Sequence, residues 1–241
     1  MPKRLAFLLL LYAFSKNVTA QTIGDSTSYG STANIISIYY TGGLGEQSPL
    51  YNGIEYLEYA SMFREGHPFF ESQEFKHGEI YFDGMSFHKV PMCYDLVKDL
   101  VVILNFHNTY KIVLPTNKIQ QFTLLGHTFV RIQHDSLNQI KTGFYDQLYK
   151  GKIGLFAKRE KKIVERVGFS GIDVIVNSMN TYYIMKGGNY YNFKNQRGLL
   201  NILNDKKREI LQHFKKNNIR FKDDPEEAMK AAVEYCNRLT N

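Results

Sequence analysis

The chain has 241 residues, 44% of them hydrophobic and 22% charged, with 18 Gly, 6 Pro, 2 Cys, no Trp and a formal charge of +7. It is too apolar for a disordered chain, too poor in glycine for collagen and too poor in cysteine for a disulfide-stapled miniprotein. The length suits one domain with an appendage, and an aromatic share of 14% leans toward strands.

The first twenty residues read as an export signal. Lys3 and Arg4 form a positive start, Leu5 to Phe14 is an unbroken apolar run, and Val18-Thr19-Ala20 offers small side chains for cleavage after Ala20. The run is shorter than the roughly 20 residues of a spanning helix. No cysteine follows it to carry a lipoprotein anchor, and no later stretch is apolar enough to span as a helix. Losing Lys3, Arg4 and Lys16 lowers the charge by three, to +4, which removes the main support for nucleic-acid binding. The expected location is the periplasm, or the extracellular or outer-membrane surface.

Residues 21–49 read as a weakly ordered leader. Ser, Thr and Gly crowd Asp25 to Ala33, Ile35 to Tyr40 is a short strand pattern, and Thr41 to Gly45 breaks it. Residues 50–193 then read as an antiparallel sheet region. Strands are expected at Glu79 to Phe82 and Met85 to Tyr94 around an Asp83-Gly84 type I′ turn. Further strands follow at Leu100 to Phe106, Tyr110 to Leu114, Ile119 to Leu124, Thr128 to Ile132, Phe144 to Tyr149 and Ile153 to Lys158, with a hairpin of Tyr182 to Met185 and Tyr190 to Phe193. Lys158-Arg159-Glu160-Lys161-Lys162 reads as a charged extension, and 168–180 fits no single pattern. Residues 194–241 read as two helices. One carries Leu199, Ile202, Leu203, Ile210, Leu211 and Phe214; the other starts at Asp223 or Asp224 and carries Met229, Ala232, Val233, Cys236 and Leu239. The expected fold class is α+β, mostly β: a meander forming a curved sheet or half-barrel, with two C-terminal helices packed on it. The short, charge-bearing strands do not suit a transmembrane barrel.

The chemistry is sparse. His67, His77, His88, His107, His127, His134 and His213 show no ligand spacing, so no metal and no cofactor is expected. Asp95 and Asp99 could serve acid/base chemistry but also fit a turn. Ser170 lacks a nucleophile elbow, and Gly42-Gly43-Leu44-Gly45 lacks the Lys-Ser/Thr of a phosphate loop. Cys93 and Cys236, far apart in sequence, read as buried thiols rather than a bridge. Two surfaces stand out as candidate sites. A basic stretch carries Lys194, Arg197, Lys206, Lys207, Arg208, Lys215, Lys216, Arg220 and Lys222; Lys206, Lys207, Arg208, Lys215 and Lys216 are its candidates for contact with an anionic surface such as lipid headgroups. Tyr183, Tyr190 and Tyr191 are candidate ligand-facing aromatics, with ordinary cross-strand packing as the alternative.

Several strings carry a resemblance: Leu50-Tyr51-Asn52-Gly53, Tyr81-Phe82-Asp83-Gly84, Tyr94-Asp95-Leu96, Phe122 to Val130, Gly143-Phe144-Tyr145, Leu155 to Arg159, Leu199 to Lys207 and Lys222 to Tyr235. Over residues 50–238 the chain resembles a group of exported Bacteroidota envelope proteins with no assigned activity. The resemblance implies a Gram-negative envelope setting and brings no catalytic residues. The expected function is a non-enzymatic envelope module that binds a partner protein or a small apolar or anionic ligand. The alternatives are a lipid or lipoprotein carrier with an apolar groove, and a hydrolase using Asp95, Asp99 or a turn histidine. A hollow sheet face would favour carrier or enzyme; a filled one, a scaffold.

Overall fold

A computed structural model describes residues 43–60, 62–134, 140–168 and 171–240. All of them lie in the compact unit Ser37–Asn241. The signal segment, its cleavage position and the leader as far as residue 42 lie outside the described residues.

Eleven strands form one sheet in the order β1-β5-β4-β3-β2-β6-β7-β8-β9-β10-β11, every neighbouring pair antiparallel. They are β1 (Ile54–Glu55), β2 (Lys76–Phe82), β3 (Met85–Asp95), β4 (Leu100–Leu104), β5 (Lys111–Val113), β6 (Ile119–Leu124), β7 (His127–Ile132), β8 (Gly143–Tyr149), β9 (Ile153–Gly168), β10 (Gly171–Lys186) and β11 (Asn189–Phe193). The α+β, mostly β expectation holds. Asp83 and Gly84 have φ of 51° and 81°, the two left-handed residues that a type I′ turn demands. The largest departures are in β9 and β10. The charged extension and residues 171–180 of the ambiguous stretch are strand, and the two strands pair antiparallel from Ile153–Lys186 to Gly168–Gly171.

By its ladders the sheet is open, but it curls. β3 and β8 are four strand spacings apart, about 19 Å if the sheet were flat. Yet the rings of Tyr94 on β3 and Phe144 on β8 have centroids 6.0 Å apart. Phe122 and Phe129 stack between them at 4.9 Å, and Tyr94 meets Phe129 at 5.0 Å. This face is filled by one cluster that also includes Ile80, Phe82, Met92, Val101, Ile103, Ile112, Leu114, Ile119 and Leu124. Gly78 sits at a register shift in β2, where a Cβ would collide with the Thr123 carbonyl; only a residue without one lets the neighbouring strand approach. The curl ends where β9 reaches the turn after β3: the Lys161 N–H donates to the Leu96 carbonyl at 3.2 Å.

Three helices follow: α1 (Gln196–Ile202), α2 (Lys207–Lys216) and α3 (Pro225–Thr240). The first expected helix is thus two, parted by a 3-10 turn at Asn204–Lys206. The break falls on Asn204-Asp205, residues that favour turns over helix interiors, and Asp205 is held by Lys186 at 2.7 Å. Asn195 caps α1, and Asp224 caps α3 by accepting from the Glu227 N–H at 3.0 Å. The buried stripes of the helices pack on Leu155, Ile184 and Phe193 of the sheet.

One side chain joins α3 to the sheet. The Asn237 amide accepts from the Ile153 N–H at 2.9 Å and donates to the Ile153 carbonyl at 2.9 Å and the Val233 carbonyl at 2.9 Å. It therefore replaces a strand partner at the start of β9. Asn237→Ala leaves the buried backbone groups of Ile153 unpaired. The expected loss is about 2–3 kcal/mol in urea-monitored unfolding.

Candidate functional site

The polar heart of the molecule lies on β9. Leu155, Phe156 and Ala157 are apolar and buried, and Lys158 and Arg159 follow them into burial at 8% exposure each. Neighbours in a strand point to opposite faces, so the two charges meet different partners. Arg159 places Nε and Nη2 at 3.1 and 2.8 Å from Asp146 Oδ2 on β8, and its other edge grips the Glu226 carboxylate on α3. Tyr182 of β10 donates to Glu226 at 2.7 Å, and His127 of β7 places Nδ1 2.8 Å from Asp146 Oδ2. One chain of polar contacts thus ties β7, β8, β9 and β10 to α3. Burial alone would lower the Arg159 pKa, but its bonds to Glu226 and Asp146 hold it above its ordinary value. Burial likewise pushes the Glu226 carboxyl up, and the bonds from Arg159 and Tyr182 hold it below its usual value. The hydrogen bond to Asp146 raises the His127 pKa against the opposing effect of burial.

On the other face, Lys158 donates to Asp99 at 2.7 Å and to the Phe144 carbonyl at 3.1 Å, and its ammonium lies 5.2 Å from the Tyr145 ring. Tyr94 also donates to Asp99. A Cβ at Gly143 would come within 2.5 Å of the Lys158 ammonium, so the ion pair requires a glycine there.

Asp95 is fully buried and saturated with donors. Its carboxylate accepts from the hydroxyls of Tyr56 at 2.9 Å and Tyr59 at 2.8 Å, and from the N–H groups of Val97 at 2.9 Å and Lys98 at 3.1 Å. The Lys98 ammonium covers the Tyr56 and Tyr59 rings at 4.6 and 4.2 Å. Asp95 and Asp99 therefore serve the turn and what is anchored to it. Tyr56, Tyr59, Phe63, Phe69, Gln73 and Lys111 line an adjacent groove of about 230 Å³.

Beyond Lys161, β9 has β10 as its only strand neighbour among the described residues, and the pair forms an arm. Cross-strand pairing puts Ile163, Val167, Ile172, Val174 and Val176 on one face of the arm. Residues 64–65 run along the β10 edge, with the Arg64 N–H donating to Val174 and the Val176 N–H to Glu65, and with Arg64 paired to Asp173. Just before them in the chain, Met62 and Phe63 border the groove beside Tyr56 and Tyr59. Val167 and Ile172, a cross-strand pair at the end of the arm, are 89% and 67% exposed.

The candidate residues read from the sequence are dispersed. Arg208, Lys215 and Lys216 are exposed on α2, while Lys206 and Lys207 are half-buried at its start. Tyr183 and Tyr190 are half-buried, packing edge-on against Tyr145 at 5.6 Å and Phe156 at 5.7 Å. Tyr191 is exposed and, with Lys186, Asn201 and Ile202, borders an open groove. Cys93 and Cys236 are buried thiols, each with its pKa pushed by burial up to about 11. Among the described residues no three potential ligands gather as a metal site, and no helix is long and apolar enough to cross a membrane. No family model, curated protein or solved structure matches the chain.

Sequence reasoning missed Arg159, Asp146, Glu226 and His127 as a group, because their partners lie up to 67 positions apart. The available signal was Ile163-Val164, which resumes a strand pattern after the charges and so marks them as strand interior.

Two tests follow from the polar chain. Asp146→Asn strips the buried guanidinium of one carboxylate and is expected to cost about 3–5 kcal/mol in chemical denaturation. The raised His127 pKa means that its contribution is fully present below the unfolded value of 6.5 and is lost as pH rises through the folded value. His127→Gln should therefore flatten the stability profile on the alkaline side of pH 6.5. The Glu226 contribution runs the other way: it is present above 4.5 and is lost as pH falls through the lowered folded value.

Proposed function

We propose that this protein is an exported, non-catalytic binding module of the cell envelope that engages a protein partner through the end of its β9–β10 arm. The observation that carries the reading is the cross-strand apolar pair Val167 and Ile172, exposed at the end of a hairpin braced by residues 64–65. Contiguous apolar exposure of this kind marks an interaction surface, whereas scattered single residues do not.

The rest of the molecule supports the same reading. The sheet face from β2 to β8 is occupied by interlocked rings, which favours a scaffold over an acyl-chain carrier. The carboxylates considered for hydrolysis are engaged: Asp95 by four donor groups, Asp99 by Lys158 and Tyr94. The signal read in residues 1–20 supports the envelope setting.

The test is photocrosslinking in intact cells, with a photoreactive phenylalanine in place of Ile172 or, as a control, of the exposed Lys89. A discrete adduct at 172 that is absent at 89 and lost on Val167→Asp is expected. Absence of any adduct at 172 overturns the reading. So does turnover of an ester, glycoside or peptide substrate that a single substitution abolishes.

A further inference from the structure

We infer that the outer edge of β9 in the arm, residues 162–167, is a strand-addition site for an extended acidic and apolar segment of the partner. This rests on the arm being the binding element, and it specifies how the partner is held.

The first support is the direction of the backbone. The Lys161 N–H points away from β10, since it donates to Leu96. A strand alternates with period two, so the N–H and C=O groups of Ile163, Glu165 and Val167 point the same way. The opposite edge of the arm obeys the same alternation: Val174 and Val176 face outward and are bonded by residues 64–65. The β10 edge is therefore occupied. The β9 edge has no backbone partner beyond Lys161 among the described residues. Such a row of free groups is a template for another chain.

The second support is charge. On one face, the β9 edge presents Lys162, Val164 and Arg166; on the other, Ile163, Glu165 and Val167. Lys162 and Arg166 are exposed, and neither has a carboxylate within ion-pair distance among the described residues. A strand added here meets cation, apolar, cation on one side and apolar, acid, apolar on the other. Its complement places acids opposite Lys162 and Arg166 and apolar groups opposite Ile163, Val164 and Val167. For an antiparallel strand this reads Val-Glu-Lys-Val-Ile-Glu.

A peptide carrying that hexad between Gly-Ser flanks is the probe, titrated against the full mature chain by fluorescence anisotropy and by amide exchange. Binding should slow exchange at Ile163, Glu165 and Val167. N-methylation of those peptide residues whose N–H groups face the edge should weaken binding about tenfold, as should Glu165→Pro, because Pro is tolerated where the N–H faces outward. Lys162→Glu with Arg166→Glu should weaken it by a similar factor and reduce its salt dependence. Unchanged affinity in the Glu165→Pro and N-methyl arms overturns strand addition. So does failure of the peptide to bind while the Ile172 crosslink persists, and in both cases the partner-binding reading survives. Loss of the crosslink itself overturns that reading instead. Self-association of the free chain that Glu165→Pro abolishes, seen by sedimentation, makes the occupant a second copy and overturns the partner assignment.

Discussion

Two adjacent buried charges organise this protein. Lys158 and Arg159 sit mid-strand on β9, where the alternation of a strand sends them to opposite faces. A buried cation is tolerable only when paired and hydrogen-bonded, so each has gathered carboxylates from distant chain segments. Lys158 takes Asp99 from the turn after β3 and holds the curl of the sheet. Arg159 takes Asp146 and Glu226 and fixes α3 to the sheet. Neither pair is a strong stabiliser by itself, because desolvation offsets much of the Coulomb gain. Their effect is specificity: any other register of β9 would leave a charge buried alone.

The arm is a consequence of the same strand. β8 pairs with β9 only as far as Ala157, and the turn after β3 occupies the edge only as far as Lys161. From there β9 has one neighbour. A lone hairpin is marginal in water, and this one is braced on its β10 side by residues 64–65 and the Arg64–Asp173 pair. That same segment is anchored through Tyr56 and Tyr59 on Asp95. The acidic residues that looked like candidates for chemistry thus act mechanically, holding a stiff projection whose apolar end is left in water.

The meander was legible because each strand is local in its signals: alternation, β-branched residues and turns such as Asp83-Gly84 need only a few neighbours. The α3 cap was legible for the same reason, with Asp224, Pro225 and two glutamates in sequence. The split between α1 and α2 was not read, because Leu199 to Phe214 keeps one apolar stripe through the break, and Asn204-Asp205 alone is a weak stop signal. The exposure of Val167 and Ile172 carried no signal either; it depends on β9 having β10 as its only strand neighbour there among the described residues. Of the candidate aromatics, only Tyr191 is exposed, because which member of a tyrosine pair faces out depends on what the rest of the sheet packs beside it.

What the sequence determined by itself was a mostly antiparallel sheet and a helical ending, both of which follow from short-range periodicity. Tertiary structure alone decided that Lys158 and Arg159 are interior, that Asp99, Asp146 and Glu226 are their partners, and that Val167 and Ile172 are left exposed at the end of the arm. Burial and ion pairing are properties of contacts between segments up to 67 residues apart, and nothing in the local order of side chains encodes which distant carboxylate a cation will meet.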